Sequence, residues 1–107
     1  MHHKVEIGVA PTEFVNAAIK LYHDGKIDDL FIKLSNLIKT YPNTYIFNNI
    51  LGAIYIHKGL YKEAEKYFRK TIALQPEHPH AYNNLGIVLN NLNNYNEAKI
   101  FLKKAIA

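Results

Sequence analysis

A period of 34 residues constrains this chain more than any other feature. In the stretch NNILGAIYIHKGLYKEAEKYFRKTIALQP, the residues Leu51-Gly52, Tyr55, Gly59, Tyr61, Ala64, Phe68, Leu74 and Pro76 mark one unit. One period onward stand Leu85-Gly86, Leu89, Asn93, Tyr95, Ala98 and Leu102; one period back stand Ala17-Ala18, Leu21, Gly25, Ile27, Leu30, Leu34 and Pro42. A repeat of this length cannot bury its apolar face alone, so neighbouring units must stack. Phe14, Ala17, Ala18 and Leu21 follow the helical period. Gly25, Gly59 and Asn93 fall between two helical runs, where a left-handed residue ends the first. Pro42 and Pro76 end the second, because proline lacks the amide donor a helix needs. The expectation is an all-α chain of about six helices in antiparallel pairs.

The register divides the chain into an N-terminal extension at 1–10 and units at 11–44, 45–78 and 79–107, the last short of a full period. The Met-His-His start looks like a purification-tag remnant and is set aside. Val5, Ile7 and Val9 either cover the edge of the first unit as an irregular cap or stay disordered. Thr12 with Glu13 opens the first helix, and Asn43 or Thr44 is placed to cap the third. Gly52 and Gly86 are expected to face Ala64 and Ala98, so that two backbones approach closely. In the first unit Ala18 and Leu30 take those places, which predicts helices set further apart or rotated.

Composition narrows the class. With 107 residues, 49% of them hydrophobic, one domain with a continuous core is the natural outcome. There is no cysteine, so no disulfide, thiolate nucleophile or cysteine-based metal site. The net charge of +4 comes from mixed signs, such as Lys62, Lys66, Arg69 and Lys70 among Glu63 and Glu65. That pattern reads as a solvated helix face rather than a nucleic-acid surface. No apolar run is long enough to span a membrane, and no signal peptide is visible, so a cytoplasmic location is expected.

Taken together, these motifs resemble the tetratricopeptide repeat (TPR) family over residues 11–107. In the second unit the family pattern is met by Leu51, Gly52, Tyr55, Tyr61, Ala64, Phe68 and Pro76. Asn48, where the family usually has a Trp-like residue, and Thr71 depart from it. The third unit supplies Tyr82, Leu85, Gly86, Leu89, Tyr95, Ala98, Leu102 and Ala105. The resemblance implies a right-handed α-solenoid, with no enzyme activity and no cofactor. The partner it implies is a protein or peptide held in a concave groove along the first helix of each unit.

The groove positions implied by the resemblance are Val15, Ile19, Tyr22, Ile46, Asn49, Ala53, Ile56, His57, His80, Asn83, Ile87 and Asn90, with Thr12, His23 and Asn91 beside them. Val15, Ile19, Ile46 and Ile56 would make an apolar floor. Asn49 and Asn83 recur at one position and can meet a peptide backbone as donor and acceptor; the alternative is that they only solubilise an Asn-rich surface. Some TPR domains hold a carboxylate with a basic clamp, and the matching positions here are Val15, Ile19, Ile50, His80 and Asn84. With no Lys or Arg among them, a carboxylate clamp is not expected.

Metal and catalytic readings find little support. His23 and His57 recur one period apart, too far for shared coordination, and imidazoles near helix ends suit the helix dipole. Ser35 is the only serine, and no glycine-rich phosphate loop occurs. Two roles therefore stand: a peptide-binding module, or an assembly element that self-associates through Ile100, Phe101 and Ile106 of the last helix. A fragment of a longer array would leave the same surface open.

Overall fold

Six helices form among the described residues, and no strand: α1 (Thr12–His23), α2 (Ile27–Thr40), α3 (Tyr45–His57), α4 (Tyr61–Leu74), α5 (Pro79–Asn91) and α6 (Tyr95–Ala105). The structure is a computed structural model and describes residues 7–106. Expectations for residues 1–6, Val5 among them, and for Ala107 lie outside the described residues.

Each odd-numbered helix ends in the same way. Gly25, Gly59 and Asn93 take left-handed φ values of 73°, 72° and 66°. The next residue then donates back across the last turn: Lys26 N–H to the Leu21 carbonyl at 3.0 Å, Leu60 to Tyr55 at 2.9 Å and Asn94 to Leu89 at 2.8 Å. These bonds satisfy carbonyls that a helix end leaves free, and they turn the chain into the antiparallel partner helix.

The start of α3 departs from expectation. Thr44 precedes the helix, yet its side chain makes no cap bond. Its buried Oγ1 accepts from the Ala10 amide at 2.8 Å instead. Asn43 also turns toward the N-terminal segment: its amide donates to the Gly8 carbonyl at 2.8 Å, and Nδ2 to the Ile7 carbonyl at 3.0 Å. Residues 7–10 are thus fastened to the α2–α3 loop by polar bonds. Ile7 remains 88% exposed and covers no edge, while Ala10 is buried.

The core has two clusters. Leu30, Leu34, Phe47, Ile50, Leu51 and Ile54 join with Ala10 and Ala18 in the first, and Ala64, Phe68, Leu85, Val88, Leu89 and Ala98 form the second. Tyr55 packs against both. Its ring is stacked on Tyr67 at 5.5 Å and meets Phe31 edge-on at 5.6 Å. Burial raises the Tyr55 phenol above its ordinary pKa, with the neighbouring Tyr67 adding to the effect.

The small residues admit more than the alanines expected opposite them. Gly52 lies under the ring of Phe68: a Cβ there would stand 2.7 Å from Cε1 and Cζ. A Cβ at Gly86 would meet Leu102 Cγ at 2.5 Å, with the Ala98 carbonyl oxygen at 3.3 Å. Each glycine therefore makes room for a bulky side chain one turn past the alanine. In the first unit the corresponding residues are Ala18 and Leu34, both buried. There α1 meets α2, and α2 meets α3, over much less backbone than in the later pairs. The result is a helical-repeat solenoid, loose at its N-terminal end and tight beyond α3, measuring 44 × 36 × 21 Å.

Candidate groove on the odd-numbered helices

Stacking puts α1, α3 and α5 in successive positions, and the residues assigned to a groove lie along them. Val15, Ile19, Ile46, Asn49, Ala53 and Ile56 are half-buried. Tyr22, His57, His80, Asn83, Ile87 and Asn90 are exposed. Of the floor residues, Val15 and Ile46 pack on the first core cluster and Ile56 on the second. The floor is therefore partly occupied by the fold itself.

Two cavities open on α1 and α3. One, of about 290 Å³, brings Tyr22, Ala53 and His57 together with Ile27 and Ile54. The other, of about 490 Å³, holds Val15, Thr12 and Ile46 beside Val9, Asn43 and Gln75. The contribution of residues 7–10 and the α2–α3 loop to this second cavity was missed. Asn43 and Thr44 were visible in the sequence, but as caps for α3. The α5 residues His80, Asn83, Ile87 and Asn90 line neither cavity.

The two equivalent asparagines are not equivalent in place. Asn83 is exposed, whereas Asn49 Oδ1 is buried with no hydrogen-bond partner. Asn49 sits on the middle helix of the groove with its carbonyl oxygen enclosed; Asn83 lies on the last odd-numbered helix. An unpaired buried carbonyl costs about 1–3 kcal/mol, so the central position holds a polar group in need of a donor.

Histidine serves the fold at one further point. His78 Nδ1 accepts from the Ala81 amide at 3.1 Å and caps α5. The ring meets Tyr45 at 5.5 Å and His80 at 5.7 Å. Burial, and then the nearby His80, hold the His78 imidazole below its ordinary pKa. The sequence reading, which tied imidazoles to helix C-termini, did not foresee this cap.

Along α6 the residues assigned to self-association separate. Phe101 is half-buried, its ring stacked on Tyr82 at 6.1 Å with the Arg69 guanidinium 5.6 Å from its centre. Ile100 is 55% exposed, but it shares its position in the repeat with Ile32, 63% exposed, and with exposed Lys66. That position faces away from the neighbouring units. Ile106 is 87% exposed where its counterpart Ile72 is half-buried, so it alone of the three lies on the end of the stack.

A sequence profile described as Tetratricopeptide repeat matches residues 43–107, more than half of the chain. The chain belongs to the tetratricopeptide repeat family. No curated protein is similar enough in sequence to match. Solved TPR structures share the fold. The first TPR of Spaghetti (RPAP3), bound to HSP90 peptide SRMEEVD, is similar with a TM-score of 0.80 at 18% identity, over 94% of this chain and 82% of that one. The second TPR of the same protein, with the same peptide, gives 0.76 at 20% identity, over 85% and 84%. The Yersinia enterocolitica type III secretion chaperone SycD, in complex with a peptide of the translocator YopD, gives 0.77 at 20% identity, over 88% and 72%. At these identities the likeness is one of fold, and TPR domains are protein-interaction modules. No helix among the described residues is long and apolar enough to cross a membrane.

Proposed function

We propose that this TPR domain is a non-catalytic module that holds a peptide segment of a partner protein along α1, α3 and α5. The observation that carries this reading is the pair of open cavities on α1 and α3, which gather Tyr22, Ala53 and His57 at one end and Val15 and Ile46 at the other. A peptide with apolar side chains at both ends of its contact would fill them, and exposed Asn83 is free to meet its backbone. Peptide complexes of Spaghetti (RPAP3) and SycD, which share this fold, support such a use.

The chemistry of the peptide differs from SRMEEVD, which ends in carboxylates. Here the clamp positions are Val15, Ile19, Ile50, His80 and Asn84, and Ile50 is buried. A desolvated carboxylate would find no cationic partner there. The expected ligand is apolar with free backbone amides. Replacing Asn49 and Asn83 together by alanine should weaken binding of a confirmed partner peptide about tenfold or more while helicity holds. Unchanged affinity would remove the asparagines from the mechanism. Unchanged affinity in Ala53→Trp, which fills the smaller cavity, would remove the groove.

A second reading, self-association, rests on the end of the stack. Phe68 and Thr71 are fully buried, but their counterparts Leu102 and Ala105 are only half-buried, and Ile106 is open. The opposite end is polar: exposed Glu13 and Lys20 stand where α3 has buried Phe47 and Ile54. Head-to-tail stacking would bury those charges, so contact between copies would join two α6 ends. Light scattering over a concentration series tests this, and a strict monomer at high concentration removes it.

A further inference from the structure

The repeat places one crevice twice on the even-numbered helices, between α2 and α4 and again between α4 and α6. Ile38 and Tyr67 line the first; their counterparts one period on, Ile72 and Phe101, line the second. The second crevice is nearly filled. Tyr82 stacks on Phe101 with planes 17° apart, and Lys104 Nζ lies 5.8 Å from the Tyr82 ring and 5.6 Å from Phe101. About 180 Å³ remains open.

In the first crevice Asn48 stands where Tyr82 does. It keeps the polar half of that role: its Nδ2 donates to the Pro42 carbonyl at 3.2 Å, as the Tyr82 hydroxyl donates to the Pro76 carbonyl at 2.7 Å. The aromatic half is missing, and the cavity over Tyr67 measures about 470 Å³. Tyr67 has one face against Tyr55. Lys70 holds the place of Lys104, and Lys66 stands one turn before it; both are exposed and without an ion-pair partner among the described residues.

We infer that this α2–α4 crevice is a second peptide site, separate from the groove, which takes one aromatic side chain from an acidic segment of a partner protein. The ring occupies the space that Tyr82 fills in the next unit and stacks on Tyr67, with the Lys70 ammonium against its face. Carboxylates on either side of that residue pair with Lys66 and Lys70. Because both lysines are solvent-exposed, the charges serve mainly to steer and select, and the ring supplies the anchor.

The probe is the capped tripeptide Glu-Trp-Glu, titrated into the full chain and followed by amide and aromatic NMR shifts. Saturable shifts centred on Ile38, Tyr67 and Lys70 are expected, with none comparable at Ile72 and Phe101. Capped Glu-Ala-Glu should not saturate, and capped Lys-Trp-Lys should bind several-fold more weakly. Asn48→Tyr supplies the missing ring from within and should weaken Glu-Trp-Glu about tenfold or more. A double change of the exposed lysines, Lys66→Glu with Lys70→Glu, leaves the core untouched and should abolish the preference for the acidic probe. That variant keeps the test decisive if Asn48→Tyr fails to fold. The inference is overturned if no saturable shift appears at the crevice. Equal binding of the alanine probe overturns it too, as does undiminished binding by a folded Asn48→Tyr. Loss of groove binding in Ala53→Trp leaves this site intact, so the two readings fail separately.

Discussion

The junctions at the two ends of α3 and α4 are built from the same period yet close to different degrees. Beyond α3, glycine at 52 and 86 admits Phe68 and Leu102 over the backbone, and α3–α4 and α5–α6 run in close contact. Before it, Leu30 fills the place held by Ala64 and Ala98, and α1–α2 meet over a shorter stretch. Where glycine and alanine give way to Ala18 and Leu30, the pair of helices lies less closely. The looser half is also where the cavities beside Tyr22, Val15 and Ile38 open.

The largest expected effect sets the two halves side by side. Phe68→Ala should lower unfolding free energy by about 3–5 kcal/mol, while its counterpart Leu34→Ala should fall near the lower end, about 2 kcal/mol, because a loose pair can collapse into the space. Urea unfolding of both variants measures this, and equal losses would break the contrast. Next come the glycines. Gly52→Ala should cost about 1–3 kcal/mol even after the helix-propensity gain of about 1 kcal/mol, since the enclosed Phe68 ring cannot retreat. Gly86→Ala should cost less, because half-buried Leu102 has solvent to move toward.

A smaller difference lies between His78 and Thr44, which precede α5 and α3 one period apart. His78 accepts through Nδ1, and protonation removes that acceptor. Its folded-state pKa is lowered from 6.5. The neutral form is therefore favoured on folding: its contribution is complete above 6.5 and is lost as pH falls through the folded value. Thermal melts should show that slope in the wild type and a flatter one in His78→Asn, which keeps a cap without titrating. The smallest effect concerns Arg69, which reaches Glu65 at 2.9 Å on α4 and Glu97 at 2.8 Å on α6. The first junction has Ser35 there and no such tie. Because Arg69 is 40% exposed, Arg69→Ala should cost under about 1 kcal/mol, and raised salt should erase most of it.

Helix order and limits were legible because their causes are local. Gly25, Gly59 and Asn93 announce turns through backbone conformation, and Pro42 and Pro76 announce stops. What each side chain touches was not legible. Gly52 also admits the Phe68 ring, which reaches across the interhelical gap from one turn past Ala64, a fact of three dimensions. Thr44 reads as a cap and serves instead as an anchor for Ala10, a choice made by a segment outside the period. The groove positions could be named from the repeat. Their unequal exposure could not, since Asn49 and Asn83 hold the same position in the repeat and their burial depends on what packs around each helix.

Tyr55 carries one more consequence. Its ring is shared by both core clusters, held between Phe31 of α2 and Tyr67 of α4. In a stack of repeats, the coupling between neighbours decides whether the units melt singly or as one body. Here Tyr55 is one carrier of that coupling, beside Ile56 of α3, which packs on the second cluster, and Tyr67 of α4, which packs on the first. The N-terminal units are thus tied to those that follow by an aromatic layer shared across α2, α3 and α4, and their persistence depends on it.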